Sequence, residues 1–223
     1  MMSPRKTLVL LTIITLPEIS WCDTAVDNML SSYRVTAGIS VNSIDFDVGS
    51  EGNTSPNGTL SEEFSYSPYI VLGSPYKYFG ESNWGGVMEY SFSSFQLNQQ
   101  LVNDELVDLG TSVKGYYAFV TPTGFYSFFG QNARDKYDQT LIAGMGLGLG
   151  YLKATGDIIF TETTQERHEI DVNGLALAVS GFVDYRIGNF ATRISAGLTS
   201  HTKDNLDYDA FGFTWDFGYV FGL

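Results

Sequence analysis

Large apolar residues alternate with small or polar ones along most of the chain. The last thirteen residues carry the pattern most plainly. Phe211, Phe213, Trp215, Phe217, Tyr219, Phe221 and Leu223 occupy every second position, and Gly212, Thr214, Asp216, Gly218, Val220 and Gly222 lie between them. A period of two places these sets on opposite faces of a strand. One face suits hydrocarbon and the other suits a crowded polar interior. Seven earlier segments repeat the rhythm, near 33–46, 62–74, 84–96, 107–121, 139–153, 171–186 and 190–201. Their greasy faces are led by residues such as Val35 and Ile39, Ile70 and Leu72, Tyr90 and Phe92, Leu147 and Leu149, Leu175 and Leu177, and Ile194 and Leu198. In the 107–121 segment the same rule puts Leu109, Val113, Tyr117 and Phe119 on the greasy face.

The connections alternate as well. Residues 49–61, 97–106, 154–169 and 202–207 are polar and mostly acidic, whereas Gly188-Asn189 reads as a two-residue hairpin turn and 74–82 as a modest one. No segment beyond Asp23 has an apolar run long enough for a spanning helix, which needs about 20 residues. Strands that present apolar faces to lipid must close on themselves, because an open sheet edge leaves backbone groups unpaired in hydrocarbon. The sequence therefore predicts an all-β fold: one closed antiparallel transmembrane β-barrel, an up-and-down meander of eight strands, with ten as the alternative. Long loops on one side and short turns on the other match an outer-membrane barrel. Residues 121–138 fit this scheme least well. Their aromatic run is read as an overhang at the membrane rim. Ile158 and Ile159 with Phe160 and Thr161 suggest that the fifth and sixth strands rise above the membrane as a flap.

The N-terminus reads as an export signal. Arg5 and Lys6 precede an apolar core of about ten residues from Thr7 to Leu16 and a polar exit from Glu18 to Cys22. The expected division is a cleaved signal peptide over 1–22 and a barrel over 23–223. Cys22 is the only cysteine. Trp21 and Ile19 before it do not suit a lipid-acceptor motif, so it is expected to leave with the peptide. Loss of Arg5, Lys6 and Glu18 takes the net charge from −13 to −14. Such a chain will not seek nucleic acid by charge.

A lumen of eight strands is just filled by side chains, so charges inside must be paired. Antiparallel partners keep a constant index sum fixed by their connection. The Gly188-Asn189 turn sets Asp184 opposite Arg193. A loop centred between Asp204 and Asn205 sets Arg193 opposite Asp216. One centred between Leu101 and Val102 sets Glu89 opposite Lys114. With Arg34 and Glu63, these residues form the expected lumen charge network: Arg34, Glu63, Glu89, Lys114, Asp184, Arg193 and Asp216. It reads as a structural polar plug, with a gated ion path as the alternative. Gly144, Gly146, Gly148 and Gly150 alternate with apolar residues and precede no helix, so they suit close packing in a barrel and not nucleotide binding.

The terminal Asp216, Gly218, Phe221 and Leu223 resemble the signal read by the outer-membrane barrel assembly machinery, which implies that machinery as a biogenesis partner. Residues 141–223, with Gly146 to Tyr151 and the closing aromatic strand, resemble the OmpA/OmpX-like small outer-membrane barrel superfamily. The resemblance implies a protein of the Gram-negative outer membrane, surrounded by lipid and lipopolysaccharide, monomeric, without cofactor or metal. It implies fold and place, not a specific activity.

Three activities compete. The first is a non-enzymatic surface barrel that stabilises the membrane or displays loops for adhesion. The second is a narrow passive channel. The third is a lipid A-modifying enzyme, for which His168 and His201 are the only histidine bases. Ser200 and His201 are strand neighbours and point to opposite faces, which disfavours a Ser-His pair. A soluble lipocalin-type barrel is excluded by polarity, because charges would then face an apolar core.

Overall fold

The computed structural model describes residues 32–49, 56–98, 100–102, 105–107, 112–129, 139–159, 167–203 and 206–222. The signal-peptide reading over 1–22 lies outside them. Eight long strands make the wall: β1 (Ser32–Gly49), β2 (Pro56–Gly73), β4 (Trp84–Leu97), β7 (Val113–Ser127), β8 (Gln139–Ile159), β9 (Arg167–Ile187), β10 (Phe190–Lys203) and β11 (Leu206–Gly222). Three short strands are accessory. β3 (Lys77–Tyr78) lies against the start of β4, and β5 (Gln100–Val102) and β6 (Glu105–Val107) form a small hairpin beyond its end.

Each long strand pairs antiparallel with its neighbour in sequence, and β11 returns to β1 through seventeen residue pairs from Ser32↔Gly222 to Val48↔Leu206. The sheet is a closed eight-stranded meander. The ten-stranded alternative is not what the chain forms. Residues 121–127, expected as an overhang, belong to the wall: β7 continues through them, paired with β8 from Thr123↔Gly146 to Ser127↔Ile142. The rest of that segment, 130–138, lies outside the described residues. β8 and β9 rise together to Ile159↔Arg167, so the expected flap is a continuation of the barrel wall.

The final strand fixes the sidedness. Trp215 and Phe217 are 58% and 56% exposed, whereas Arg193 and Asp216 are 4% and 0% exposed. The outer surface around the middle of the barrel is aliphatic and aromatic, with Ile39, Leu72, Phe92, Leu147, Leu177 and Ile194 among the exposed side chains. Tyr33, Trp84, Phe190 and Tyr219 ring the short-turn end, and Tyr116 and Tyr151 lie toward the loop end. That is the girdle arrangement of a membrane barrel. Among the described residues no helix is long and apolar enough to cross a membrane; strands make the crossing.

Toward the loop end the polarity inverts. Ile44, Leu97, Val113, Leu152, Ala154, Ile170 and Val172 turn inward and are buried together. Their strand neighbours Asp45, Gln96, Lys114, Thr155, Glu169 and Asp171 turn outward and are exposed. Above the Tyr116 and Tyr151 level the barrel is built like a water-soluble one, with an apolar core and a polar coat.

Candidate functional site in the barrel lumen

The lumen is layered. At the short-turn end Val87, Phe125, Ile142 and Phe182 form a compact apolar cluster, capped by Tyr76 and Tyr78 from the β2–β4 connection. Both tyrosine rings meet Phe125 edge-on, with centroids 4.9 and 5.3 Å away. The connection folds into the barrel mouth. Ser74 is tied to Met88 by a backbone bond of 2.8 Å, and Gly80 takes a φ of 62°, which favours glycine.

Beside this cluster lie four charges. Arg34 comes from β1, Glu89 from β4, Asp184 from β9 and Arg193 from β10. Arg193 Nη2 lies 2.7 Å from Glu89 Oε1 and 3.4 Å from Asp184 Oδ2, and its Nη1 donates to Glu89 Oε2 at 2.9 Å. Arg34 donates to Asp184 through Nη1 and to Glu89 through Nη2. Each arginine thus touches both carboxylates, in a quartet neutral by count. Tyr76 accepts from Arg34 Nη1 at 2.9 Å and donates to Asp184 Oδ2 at 2.7 Å, which fastens the mouth segment to the quartet. The Arg193 guanidinium also lies 3.8 Å from the centre of the Phe182 ring. Removing both charges of an ion pair from water is tolerable only with such mutual satisfaction.

Of the seven residues expected in the lumen network, four make the quartet. Asp216 stands across the ladder from Arg193 and is buried, but is not among its ion-pair partners. Glu63 lies at a β-bulge of β2, where the register with β1 shifts between Asn42↔Ser65 and Ile44↔Glu62; its side chain lies outside the described residues. Lys114 is a correction. It is exposed on the outer face, opposite Gln96, while Glu89 is opposite Thr121. The expected index sum for β4 and β7 is 203 and the observed one is 210, because the β5–β6 hairpin lengthens the connection. An odd shift turns every side chain of a strand to the other face. Val113, Tyr117 and Phe119, expected toward lipid, are buried inside for the same reason.

Two lumen residues escaped the sequence reading. Tyr76 sits in a connection, where strand periodicity carries no information; the signal available was three aromatics, Tyr76, Tyr78 and Phe79, in so short a turn. Arg186 also faces inward, with Nε donating to the Gly188 carbonyl at 3.0 Å. Of the assembly-signal residues, Asp216 and Gly218 face the lumen, and the side chains of Phe221 and Leu223 lie outside the described residues.

Between the quartet and the loop-end core lies a cavity of about 80 Å³, lined by Ser40, Asn42, Tyr69, Glu89, Thr121 and Arg193, among others. Its lining mixes these polar groups with apolar ones such as Phe119 and Ala178, and it is large enough for several waters. His201 lies nearer the loop end, buried and facing inward, with Nδ1 2.5 Å from the Leu175 carbonyl. Ser200 beside it is exposed on the outer face. The side chain of His168 lies outside the described residues. No group of His, Cys, Asp or Glu able to hold a metal is present among the described residues.

No family model matches the chain, and no curated protein does. Solved structures do. The outer membrane protein OprG from Pseudomonas aeruginosa is 12% identical, with a TM-score of 0.52 over 87% of this chain and 98% of that one. The outer membrane protease OmpT from Escherichia coli is 9% identical over 90% and 99%, with a TM-score of 0.46. Ail, the attachment invasion locus protein of Yersinia pestis, is 14% identical over 86% and 100%, with a TM-score of 0.44. At these identities the likeness to OprG speaks for the fold alone, and together with the closed eight-stranded meander it gives this chain the fold of the small OmpA/OmpX-like outer-membrane barrels.

Proposed function

We propose that the chain is a non-enzymatic barrel of a Gram-negative outer membrane, working from its loop end in a structural, surface-display or adhesive role. The observation that carries the reading is the filling of the lumen. An apolar cluster around Phe125 lies at one end, the charge quartet beside it, and an apolar core around Leu97 and Leu152 at the other. A conducting path needs continuous polar lining, and an eight-stranded barrel has little room for one. The acidic outer coat at the loop end, with Asp45, Glu169, Asp171 and Asp209 exposed, supports work at the water-facing end. The terminal strand with Asp216, Gly218, Phe221 and Leu223 supports insertion by the barrel assembly machinery. The surrounding lipid, lipopolysaccharide included, solvates the apolar girdle, and the chain acts as a monomer without a cofactor.

The cavity beside the quartet, with Ser40, Asn42 and Thr121 in its lining, favours a second reading, a narrow channel for ions or small solutes. Planar-bilayer recording of the purified chain separates the two. A silent bilayer at voltages up to the breakdown of the membrane supports the surface role; resolved unitary steps sink it and select the channel. A protease-cleavable tag placed within 160–166, cut on intact cells, tests whether that end faces outward. Mass spectrometry of lipid A from cells with and without the chain tests for chemistry, and any change in acyl composition overturns the non-enzymatic reading.

A further inference from the structure

The seams between the eight long strands are not zipped equally. β11 meets β1 from Ser32↔Gly222 to Val48↔Leu206, so the seam that closes the barrel is complete. The shortest ladder is the one between β2 and β4. It holds five pairs: Tyr69↔Ser93, Ile70↔Phe92, Val71↔Ser91, Leu72↔Tyr90 and Gly73↔Glu89. Both strands run on past it. β2 keeps pairing with β1 as far as Gly49↔Pro56, and β4 keeps pairing with β7 as far as Leu97↔Val113. Yet among the described residues no rung joins Tyr66, Ser67 or Pro68 to Ser94, Phe95 or Gln96. Pairing on this edge of β2 resumes at Leu60↔Gln100, with an index sum of 160 in place of 162.

Residue types set this gap. The next rung would put Pro68 against Ser94. Proline has no N–H to give, so it suits an edge or a break in a ladder. The Pro68 carbonyl accepts instead from the Ser93 hydroxyl at 3.0 Å. Ser67 Oγ, buried beside it, has no hydrogen-bond partner among the described residues. The gap starts at the height of the rim: Ser94 is opposite Tyr116, and beyond it the exposed Gln96 is opposite Lys114. Unpaired backbone is tolerated where water reaches it and not in hydrocarbon. Below the gap, the ladder between β2 and β4 is those five rungs with the Ser74–Met88 backbone bond at their foot. We infer that the wall parts at the β2–β4 seam before it parts at the seam where its two end strands meet. Local openings begin where a structure is least bonded. Tyr69 and Ser91, at the upper rungs of the short ladder, line the lumen cavity. Parting therefore uncovers that cavity sideways, near headgroup depth, while the apolar clusters keep both ends filled. The inference goes beyond the surface and channel readings and holds for either.

The test is residue-resolved hydrogen exchange, read by NMR on the full chain refolded into lipid nanodiscs. The N–H groups of Ile70 and Leu72 point to β4, as the Pro68 carbonyl and the Ser74 N–H do. Those of Ala37 and Val35, opposite them on β1, point to β11. The two sets thus report the two seams at matched depth. Ile70 and Leu72 are expected to exchange at least about tenfold faster than Ala37 and Val35. A disulfide made by Val71→Cys with Ser91→Cys, a directly opposed pair, is expected to bring their exchange down to the level of Ala37 and Val35. The same bridge made by Ser40→Cys with Thr214→Cys, across the closing seam, is expected to leave Ile70 and Leu72 fast. Equal exchange of the two sets in the parent overturns the inference. So does protection of Ile70 and Leu72 by the closing-seam bridge as complete as by the other. Heat-modifiable gel migration, recorded for each variant, shows whether it is folded, and the parent comparison alone decides the matter if a variant is not.

Discussion

Arg193 stands across the β9–β10 ladder from Asp184, yet its shorter contact is to Glu89 on a strand it does not adjoin, at 2.7 Å against 3.4 Å. The guanidinium therefore ties opposite walls of the barrel together. Replacing it with methionine leaves Glu89 and Asp184 to share Arg34 alone, buried and short of one positive charge. Breaking a buried pair in this way costs about 3–5 kcal/mol. Arg193→Met is expected to lower the urea-unfolding free energy of the lipid-reconstituted barrel by that amount. Adding Glu89→Gln to it recovers part of the loss. Additive effects of the two substitutions would show that the quartet is not coupled.

Tyr76 fastens the mouth segment to the same charges through one hydroxyl, accepting from Arg34 and donating to Asp184. Tyr76→Phe keeps the ring against Phe125 and removes only those bonds. Hydrogen bonds to charged groups are worth about 1.5–3 kcal/mol. The expected result is a loss of that size in unfolding free energy, with faster hydrogen exchange at Ser74 and Met88, whose backbone bond holds the segment to the wall. Unchanged exchange there would show that the aromatic contacts alone hold the plug.

The height at which the polarity inverts can be located by charge. Leu147 faces lipid in the middle of the outward-facing run of β8 from Leu141 to Tyr151, and Thr155 faces outward above Tyr116 and Tyr151. Leu147→Arg is expected to destabilise the barrel by about 2–4 kcal/mol, as for arginine on the lipid face near the bilayer midplane. Thr155→Arg is expected to change stability by less than about 1 kcal/mol, because it meets water or headgroups. Equal effects from the two would place Thr155 within the hydrocarbon and remove the inversion.

That inversion explains what the sequence could and could not convey. Strands β8 to β11 alternate cleanly through the membrane, so their faces, the Gly188-Asn189 turn and the pair Asp184↔Arg193 follow from residue spacing, while Arg193↔Asp216 needed in addition a loop centre placed between Asp204 and Asn205. β7 carries apolar residues on both faces: Val113, Tyr117, Phe119 and Phe125 inside, and Tyr116, Ala118, Val120 and Tyr126 outside. Period-two reasoning has no preferred phase there. A loop centre between Leu101 and Val102 puts Lys114 inward, whereas the longer connection pairs it with Gln96 and turns it outward, above the rim where no lipid excludes it. The quartet needed contacts across the lumen, between strands that are not neighbours, and no index sum encodes those.

Glycines on the inner wall test how closely the strands and side chains pack. A Cβ on Gly38 would collide with the Trp215 carbonyl and with Asp216, both fixed by the β1–β11 ladder that closes the barrel. A Cβ on Gly124, which faces outward, would meet nothing within 4 Å. Both residues lie in strands, so the gain in backbone rigidity from a glycine-to-alanine change is similar for the two, up to about 1 kcal/mol. The difference between them isolates the clash. Gly124→Ala is expected to leave the urea midpoint unchanged or raise it. Gly38→Ala must move backbone at the closure seam and is expected to lose about 1–3 kcal/mol, as overpacked cores do. Because the carbonyl is main chain, no rotamer change can relieve the contact, so a second substitution that shortens the Asp216 side chain should restore little. Full recovery by such a change would place the strain in the side chain and not in the seam.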